Sequence, residues 1–385
     1  MPRAMAVNVR PQREVVIAGV GLHPFGRFPE KAITDLARDA VVEALADSGV
    51  KFKDIQVAYF GHVYQSGATP GEMTLRQMGL TGIPVVNVEN ACSSGSTALW
   101  LAYWNVAMGM FDIALAFGSE KVPRGPVAST EEGSPMRFLG ADFMMASYAL
   151  GMRRYMESYG APAEAFASVS VKAHKNAAIN PYAHYKKVFT LEEVMNSRKI
   201  ADPLTLYQCC PTSEGGAAAV VIAKDIVKHN VKNPERCVSI IGAALRTQKW
   251  SDEEEDEGGQ ITLASKDAYE MAGVQPKEVD VVQVHDAATS GEVQSVEALG
   301  LVPKGQAWKW ELDGEMNISG KLPVNTDGGL QGMGHPFGAT GIRMIHELCT
   351  QLRGEAGVRQ VKKAKIGLAQ NSGAGGVATV FIVKK

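Results

Sequence analysis

The 385-residue chain has no apolar run approaching the roughly 20 residues that a membrane-spanning helix needs. It has almost no net charge either. Its 39 Lys and Arg face 41 Asp and Glu, a balance of −2, which argues against a nucleic-acid or anionic-membrane surface. Cysteine is scarce and unpatterned: Cys92, Cys209, Cys210, Cys237 and Cys349 include no Cys-x-x-Cys and no Cys/His cluster at zinc-ligand spacing, so no metal site is expected. An odd count in a long chain fits a reducing cytoplasm better than a disulfide framework. Met1 to Arg13 carries charges but no apolar core of a signal peptide, and reads as a disordered lead-in over 1–13. What remains is ordinary for a protein with a substantial core, 45% hydrophobic and 21% charged, with room for two domains.

Apolar runs beginning at Val15, Ile55, Phe111 and Glu214 read as buried strands, and Asp35 to Ser48 as a helix stopped by Gly49. Strand and helix alternating in this way predict a largely parallel sheet. Gly19-x-Gly21 is a poor phosphate loop, because His23-Pro24 follows where a helix would have to open. From about 120 to 211 the pattern gives way to Met- and aromatic-rich helices and loops, an insertion folded over the sheet. Ser251 to Gly258 is an acidic run, read as a solvated loop.

The stretch Val86 to Leu99 concentrates the chemistry. A short strand pattern breaks at Asn90, and Cys92 then precedes Ser-Ser-Gly-Ser and an apolar helix. A thiol at a helix N-terminus faces unpaired N–H groups and the positive end of the dipole, which favours the thiolate.

The order of segments repeats. Gly49 to Val57 aligns with Gly273 to Val281, Ala91 to Thr97 with Gly334 to Thr340, and Ile113 to Ala116 with Ile366 to Ala369. Such a duplication makes Cys92 and His335 symmetry mates at two helix starts. We expect a first half over 14–250, including the insertion, and a second over 251–385.

Asn90-Ala91-Cys92-Ser93-Ser94-Gly95, His285-Asp286, Gly334-His335-Pro336-x-Gly338 and Asn371-Ser372-Gly373-Ala374-Gly375-Gly376 resemble the thiolase superfamily, in its sterol-carrier and archaeal acetyl-CoA acetyltransferase-like branch. The resemblance runs from about Val15 to Val383. It implies an α/β thiolase fold, with two βαβαβαββ halves in five αβαβα layers. Cys92 would then carry the acyl group, His335 take its proton, and His285 serve the enolate oxyanion hole. Asn371, Gly373, Gly375 and Gly376 would belong to a glycine loop around a second hole. Coenzyme A is the implied co-substrate, with no permanently bound cofactor. A homodimer is implied, together with a small zinc-ribbon/OB-fold partner of the DUF35 type that would carry any zinc.

The family's second thiol is missing. Its two usual positions hold Asn371 and, in His285-Asp286-Ala287-Ala288, Ala287. Three readings follow: a thiolase whose substrate or a bound water handles the α-carbon proton, one in which His285 takes that role, or a non-catalytic homologue. A ketoacyl-synthase type of condensing enzyme is the alternative within enzymes. Related proteins without the thiol include those that split 2-benzoylsuccinyl-CoA into benzoyl-CoA and succinyl-CoA in anaerobic toluene breakdown. The resemblance to them implies a pocket for a branched substrate, expected at Ala287, Ala288, Met144, Met145 and Phe337.

Overall fold

The computed structural model describes residues 10–64, 67–125, 127, 135–138, 143–249 and 259–385; the acidic run 251–258 lies outside them. The first half runs β1 (Val15–Gly26), α1 (Ile33–Ser48), β2 (Val57–Gly61), α2 (Pro70–Arg76), β3 (Val85–Val88), α3 (Ser94–Ala107) and β4 (Ile113–Lys121). An inserted segment follows, with α4 (Pro135–Phe138), α5 (Met144–Tyr159), α6 (Ala163–Ala178), α7 (Leu191–Met195) and the hairpin β5 (Lys199–Ala201) and β6 (Leu204–Thr205). The chain then returns through β7 (Glu214–Ala223). After α8 (Val227–Asn230) come β8 (Val238–Thr247), α9 (Gln260–Ala272), β9 (Val281–Gln283), α10 (Thr289–Ala298) and α11 (Ala307–Leu312). Last are α12 (Phe337–Leu352), β10 (Ile366–Gly373) and β11 (Val377–Lys384).

The strands form one mixed sheet, β3-β2-β4-β7-β1-β8-β11-β10-β9. Its first five and last four members are the two halves, joined where Val15–Ile17 of β1 pair with Val238–Ile240 of β8. β1, β4 and β7 are apolar along almost their whole length because both faces are covered. α1 covers one face of the first half and α9 the outer face of the second, while α3 and α12 pack against each other between them. Helix, sheet, helices, sheet, helix is the expected five-layer α/β order.

The duplication is visible residue by residue. α1 and α9 both end on a glycine in the left-handed region, Gly49 at φ 74° and Gly273 at φ 65°. A single 3₁₀ turn follows each, Phe52–Asp54 and Pro276–Glu278, leading into β2 and β9. Cys92 and His335 each stand one residue ahead of a helix N-cap, Ser93 on α3 and Pro336 on α12.

Three expectations need correction. The second half has no complete third strand: Val324 makes only an isolated bridge to Val282, because Asn325 turns away at φ 52°. β8 pairs with β11 from Ser239 to Thr247, so the seam between halves falls before Val238 and not at 250. Residues 1–9 lie outside the described residues, but the remainder of the 1–13 lead-in is not disordered. The Gln12 N–H donates to the Ala107 carbonyl at 3.0 Å, and Arg13 reaches the Val106 carbonyl near the end of α3 and Asp112 just before β4.

The insertion is anchored to the second half by charge. Lys172 of α6 sits between Glu292 of α10 and Glu311 of α11, all buried, and Asn325 Nδ2 donates to the other Glu292 oxygen at 2.9 Å. Removing the cation strands two carboxylates in low dielectric. We predict that Lys172→Met lowers unfolding stability by about 3–5 kcal/mol, read from urea midpoints. Burial already raises the Glu292 carboxyl above its ordinary range, and removing the cation takes away the charge that opposes that rise. The protonated form of Glu292 is therefore favoured in the fold, and the deficit should shrink as pH falls toward 5.

Candidate active site

Cys92 occupies the turn between β3 and α3. Ala91 immediately before it adopts φ 49°, a left-handed conformation that costs a non-glycine residue about 1–3 kcal/mol and is held by its surroundings. The Ser94 hydroxyl supplies part of that hold, donating to the Ala91 carbonyl at 2.7 Å.

Sγ of Cys92 and a ring nitrogen from each of His285 and His335 lie within 4.8 Å of one another, all three residues buried. The two rings meet edge to face, centroids 5.0 Å apart. Cysteine with two histidines is also a soft metal donor set, a grouping that spacing along the chain does not disclose. The hydrogen bonds around the rings show which protons they carry.

The Thr340 hydroxyl donates to the Pro336 carbonyl at 3.0 Å, so at 2.8 Å from His335 Nδ1 it accepts. Nδ1 thus carries the proton and Nε2 the lone pair. That Nε2 is enclosed and has no partner among the described residues. A fixed tautomer with a free Nε2 is the equipment of a base.

Asn371 does the same for His285. Its Nδ2 donates to the Cys92 carbonyl at 2.8 Å and to Ser96 Oγ at 3.2 Å, leaving Oδ1 to accept from His285 Nδ1 at 2.7 Å. The Gln370 side chain accepts the His285 backbone N–H at 3.1 Å. Asn371 is therefore a brace between the nucleophile turn and His285.

Burial reverses the expected state of the thiol. Desolvation pushes Cys92 up to about 12, against the pull of its own N–H and that of Ala374, which both reach Sγ. Desolvation also takes His285 down to about 4 and His335 well below the usual range, with the Arg343 charge adding to both. The resting pair is neutral thiol beside neutral imidazole, and the proton moves only on attack. The helix terminus is present, but its effect is smaller than the cost of a buried charge.

The glycine loop brings the second N–H. A Cβ on Gly373 would lie 2.3 Å from the Asn90 carbonyl oxygen, so the loop approaches the nucleophile turn only without one. Gly375 and Gly376, at φ 85° and 83°, then turn the chain into β11.

A cavity of about 550 Å³ ends on Cys92 and His285. Met144 and Tyr148 of α5, Ile261 of α9 and Gln294 of α10 form much of its wall, with Ser372 to Gly375 beside the thiol. Among the described residues no Lys, Arg, Asp or Glu lines it.

Of the five expected pocket residues only Met144 lines this cavity. Ala287 and Ala288 are buried and engaged through backbone: the Ala287 carbonyl accepts from Cys210 N–H at 2.8 Å, and Ala288 bridges Cys209. Met145 packs into the second-half core. Phe337 packs against Cys92 and Val122, its ring 4.5 Å from that of His335. Ala374 lies within the glycine loop expected from the sequence, whereas Tyr148 and Gln294 carry no local signal there, since they meet the site only through tertiary packing.

Two family models cover nearly the whole chain, the thiolase N-terminal domain over residues 15–225 and the thiolase C-terminal domain-like family over 242–385. Sterol carrier protein 2 of Bos taurus is 37% identical over 97% of this chain and 72% of its own length. An acetyl-CoA acetyltransferase of Methanothermobacter thermautotrophicus is 36% identical, over 97% of this chain and all of its own. A benzoylsuccinyl-CoA thiolase subunit of Thauera aromatica is 37% identical, over 91% and 92%. Among solved structures, an Ltp2–ChsH2(DUF35) aldolase superposes with TM-score 0.84 at 25% identity, over 98% of this chain and 99% of that one. Human mitochondrial 3-ketoacyl-CoA thiolase shares the fold at TM-score 0.73 and 18% identity, over 97% and 99%.

Proposed function

This chain belongs to the thiolase family of acyl-CoA acyltransferases, which use coenzyme A as co-substrate, and we propose that it cleaves 2-benzoylsuccinyl-CoA with coenzyme A to benzoyl-CoA and succinyl-CoA. The observation that carries the thiolytic reading is the neutral Cys92 thiol at the end of the cavity, with a ring nitrogen of His335 within 4.8 Å and the His335 Nε2 lacking a partner among the described residues. The 37% identity to the benzoylsuccinyl-CoA thiolase subunit, along nearly the full length of both chains, supports this choice of substrate. The cavity wall supports it, with Met144, Tyr148 and Ile261 to flank a phenyl ring and the Gln294 amide to meet a carboxylate.

In this mechanism His335 Nε2 takes the Cys92 proton while Sγ attacks the keto carbon. The N–H groups of Cys92 and Ala374 receive the tetrahedral oxyanion. The bond to the α-carbon then breaks, and its electron pair passes into the thioester enolate. That oxygen accepts from the newly protonated His335 and from a water held on His285. After the α-carbon is protonated and succinyl-CoA leaves, coenzyme A attacks the benzoyl-Cys92 thioester and Cys92 recovers its proton.

We place this enzyme in a homodimer with a DUF35-type partner. The edge strand β3, with Val86 44% exposed, supports pairing to a second copy, and the DUF35 subunit of the superposable aldolase supports the partner. No helix among the described residues is long and apolar enough to cross a membrane.

Incubation with 2-benzoylsuccinyl-CoA and coenzyme A should yield benzoyl-CoA and succinyl-CoA by chromatography, and a benzoyl increment on the Cys92 peptide. Cleavage of acetoacetyl-CoA alone would refute the substrate. Cleavage of neither, with the DUF35-type partner present, would refute the thiolytic reading.

A further inference from the structure

The cluster at the end of the cavity has the construction of a metal site as well as a catalytic one. Cys92 Sγ and one ring nitrogen from each of His285 and His335 lie within 4.8 Å of one another. Zinc bonds of about 2.0–2.3 Å in tetrahedral array set such donors about 3.3–3.6 Å apart, so the three have to close by at most about 1.5 Å. Both rings are already fixed in the tautomer that a metal needs. Asn371 Oδ1 accepts the Nδ1 proton of His285 at 2.7 Å, and Thr340 Oγ1 accepts that of His335 at 2.8 Å. An outer acceptor on the far nitrogen is the usual companion of a metal-bound imidazole, and it leaves the lone pair on Nε2. His335 is 2% exposed, and its Nε2 has no partner among the described residues.

The surroundings also fit an ion. The cavity ends on Cys92 and His285, and Ala374 and Gly375 of its wall are exposed, which opens a way in from solvent. The charges close as well. Zinc on one thiolate and two neutral imidazoles keeps a single positive charge. Next to His285 in the chain, Asp286 Oδ2 is enclosed and has no partner among the described residues, so a carboxylate stands ready to balance it. The Arg343 cation is matched separately, by Asp327 at 2.6 Å. Sulfur and imidazole donors suit zinc and cobalt, whereas magnesium and calcium call for oxygen.

We infer that Cys92, His285 and His335 form an inhibitory site for a borderline-soft divalent cation of the zinc type, which caps the nucleophile and turns its fourth position to the cavity. The Cys92 S–H bond breaks as the metal–sulfur bond forms, and one proton leaves for each ion bound. No electron is transferred. Binding stands on the donor geometry alone; the inhibition rests on the thiolytic reading above.

Cobalt(II) is the probe for the site, because its spectrum reports both geometry and sulfur. The full chain should take up cobalt with the intense visible bands of a tetrahedral ion and a thiolate-to-metal band in the near ultraviolet, and zinc should displace it. Cys92→Ser should lose the thiolate band. Thr340→Val keeps the shape of the side chain but removes the acceptor for His335 Nδ1–H, and should weaken cobalt binding ~10–100-fold, the usual cost of losing an outer-sphere partner. One equivalent of zinc should block benzoylation of Cys92 by 2-benzoylsuccinyl-CoA, measured before coenzyme A is added, and a chelator should restore it. A thiolate band that survives Cys92→Ser, or only the weak bands of an octahedral ion, would overturn the site. A tetrahedral, Cys92-dependent spectrum in a chain that 2-benzoylsuccinyl-CoA never acylates would leave the site standing and sink the thiolytic reading instead.

Discussion

Cys92→Ala should abolish turnover, with the loss reaching about 10⁴-fold or more, as for other enzymes stripped of their nucleophile. The acyl increment should vanish from its peptide while the melting temperature barely moves. The reason lies in what Cys92 touches. Its side chain is small and packs in a minor cluster with Val122 and Phe337, whereas its carbonyl anchors Asn371. The substitution leaves that carbonyl, the left-handed Ala91 and both histidine tautomers in place. Cys92→Ser is the sharper variant. A hydroxyl offers His335 a much less acidic proton than a thiol, so serine should be only marginally better than alanine. A serine variant within ~10-fold of the parent would mean that acyl transfer does not run through this side chain, since nucleophile loss elsewhere costs far more.

The nucleophile and its base are partly legible in the sequence. The duplicated segments put Cys92 and His335 at equivalent helix starts, and the structure has each one residue before its N-cap. His285 joins them only through the family resemblance. No sequence signal carries the proton states. A helix N-terminus is legible in Asn90-Ala91-Cys92-Ser93, but full burial of the thiol is a property of the assembled halves, and burial decides the direction. Asn371 was noticed as the absence of a thiol, whereas its work is positive, with one amide holding the Cys92 carbonyl and the His285 tautomer together. Ala287 and Ala288 were misplaced for a related reason. Small side chains on a sequence read as open space, but here their backbones are tied to Cys209 and Cys210. The cavity opens instead toward α5, α9 and α10, and only the tertiary fold brings the insertion to the second half.

Gly338→Ala is the second large effect, and it follows from where the two symmetry-related helices cross. Gly338 is the second residue of α12, as Gly95 is of α3, and a Cβ on Gly95 would lie 2.2 Å from the Gly338 carbonyl oxygen. A Cβ on Gly338 itself would lie 2.2 Å from the carbonyl oxygen of Gly61 and 2.5 Å from that of Ser119. Those oxygens belong to β2 and β4, paired neighbours inside the sheet, and have no flexible end to swing aside. The helix has to retreat. Its retreat would also strain the bond from the Gly338 N–H to Glu120, a carboxyl that burial raises to about 7 and that also accepts from the Val63 and Tyr64 N–H groups. One added methyl should therefore cost about 1–3 kcal/mol or more of stability. The activity loss should exceed what the folded fraction explains, because His335 and Cys92 ride on the two helix starts being pushed apart. Gly151→Ala is the matched control. In α5 its new Cβ would meet only the Gln294 amide, at 3.4 Å, and helix propensity favours the change by about 0.5–1 kcal/mol. Urea unfolding of both variants, with benzoyl transfer measured at equal folded concentration, checks the prediction. Equal stability of Gly338→Ala and Gly151→Ala would mean that the two halves are not locked at this crossing.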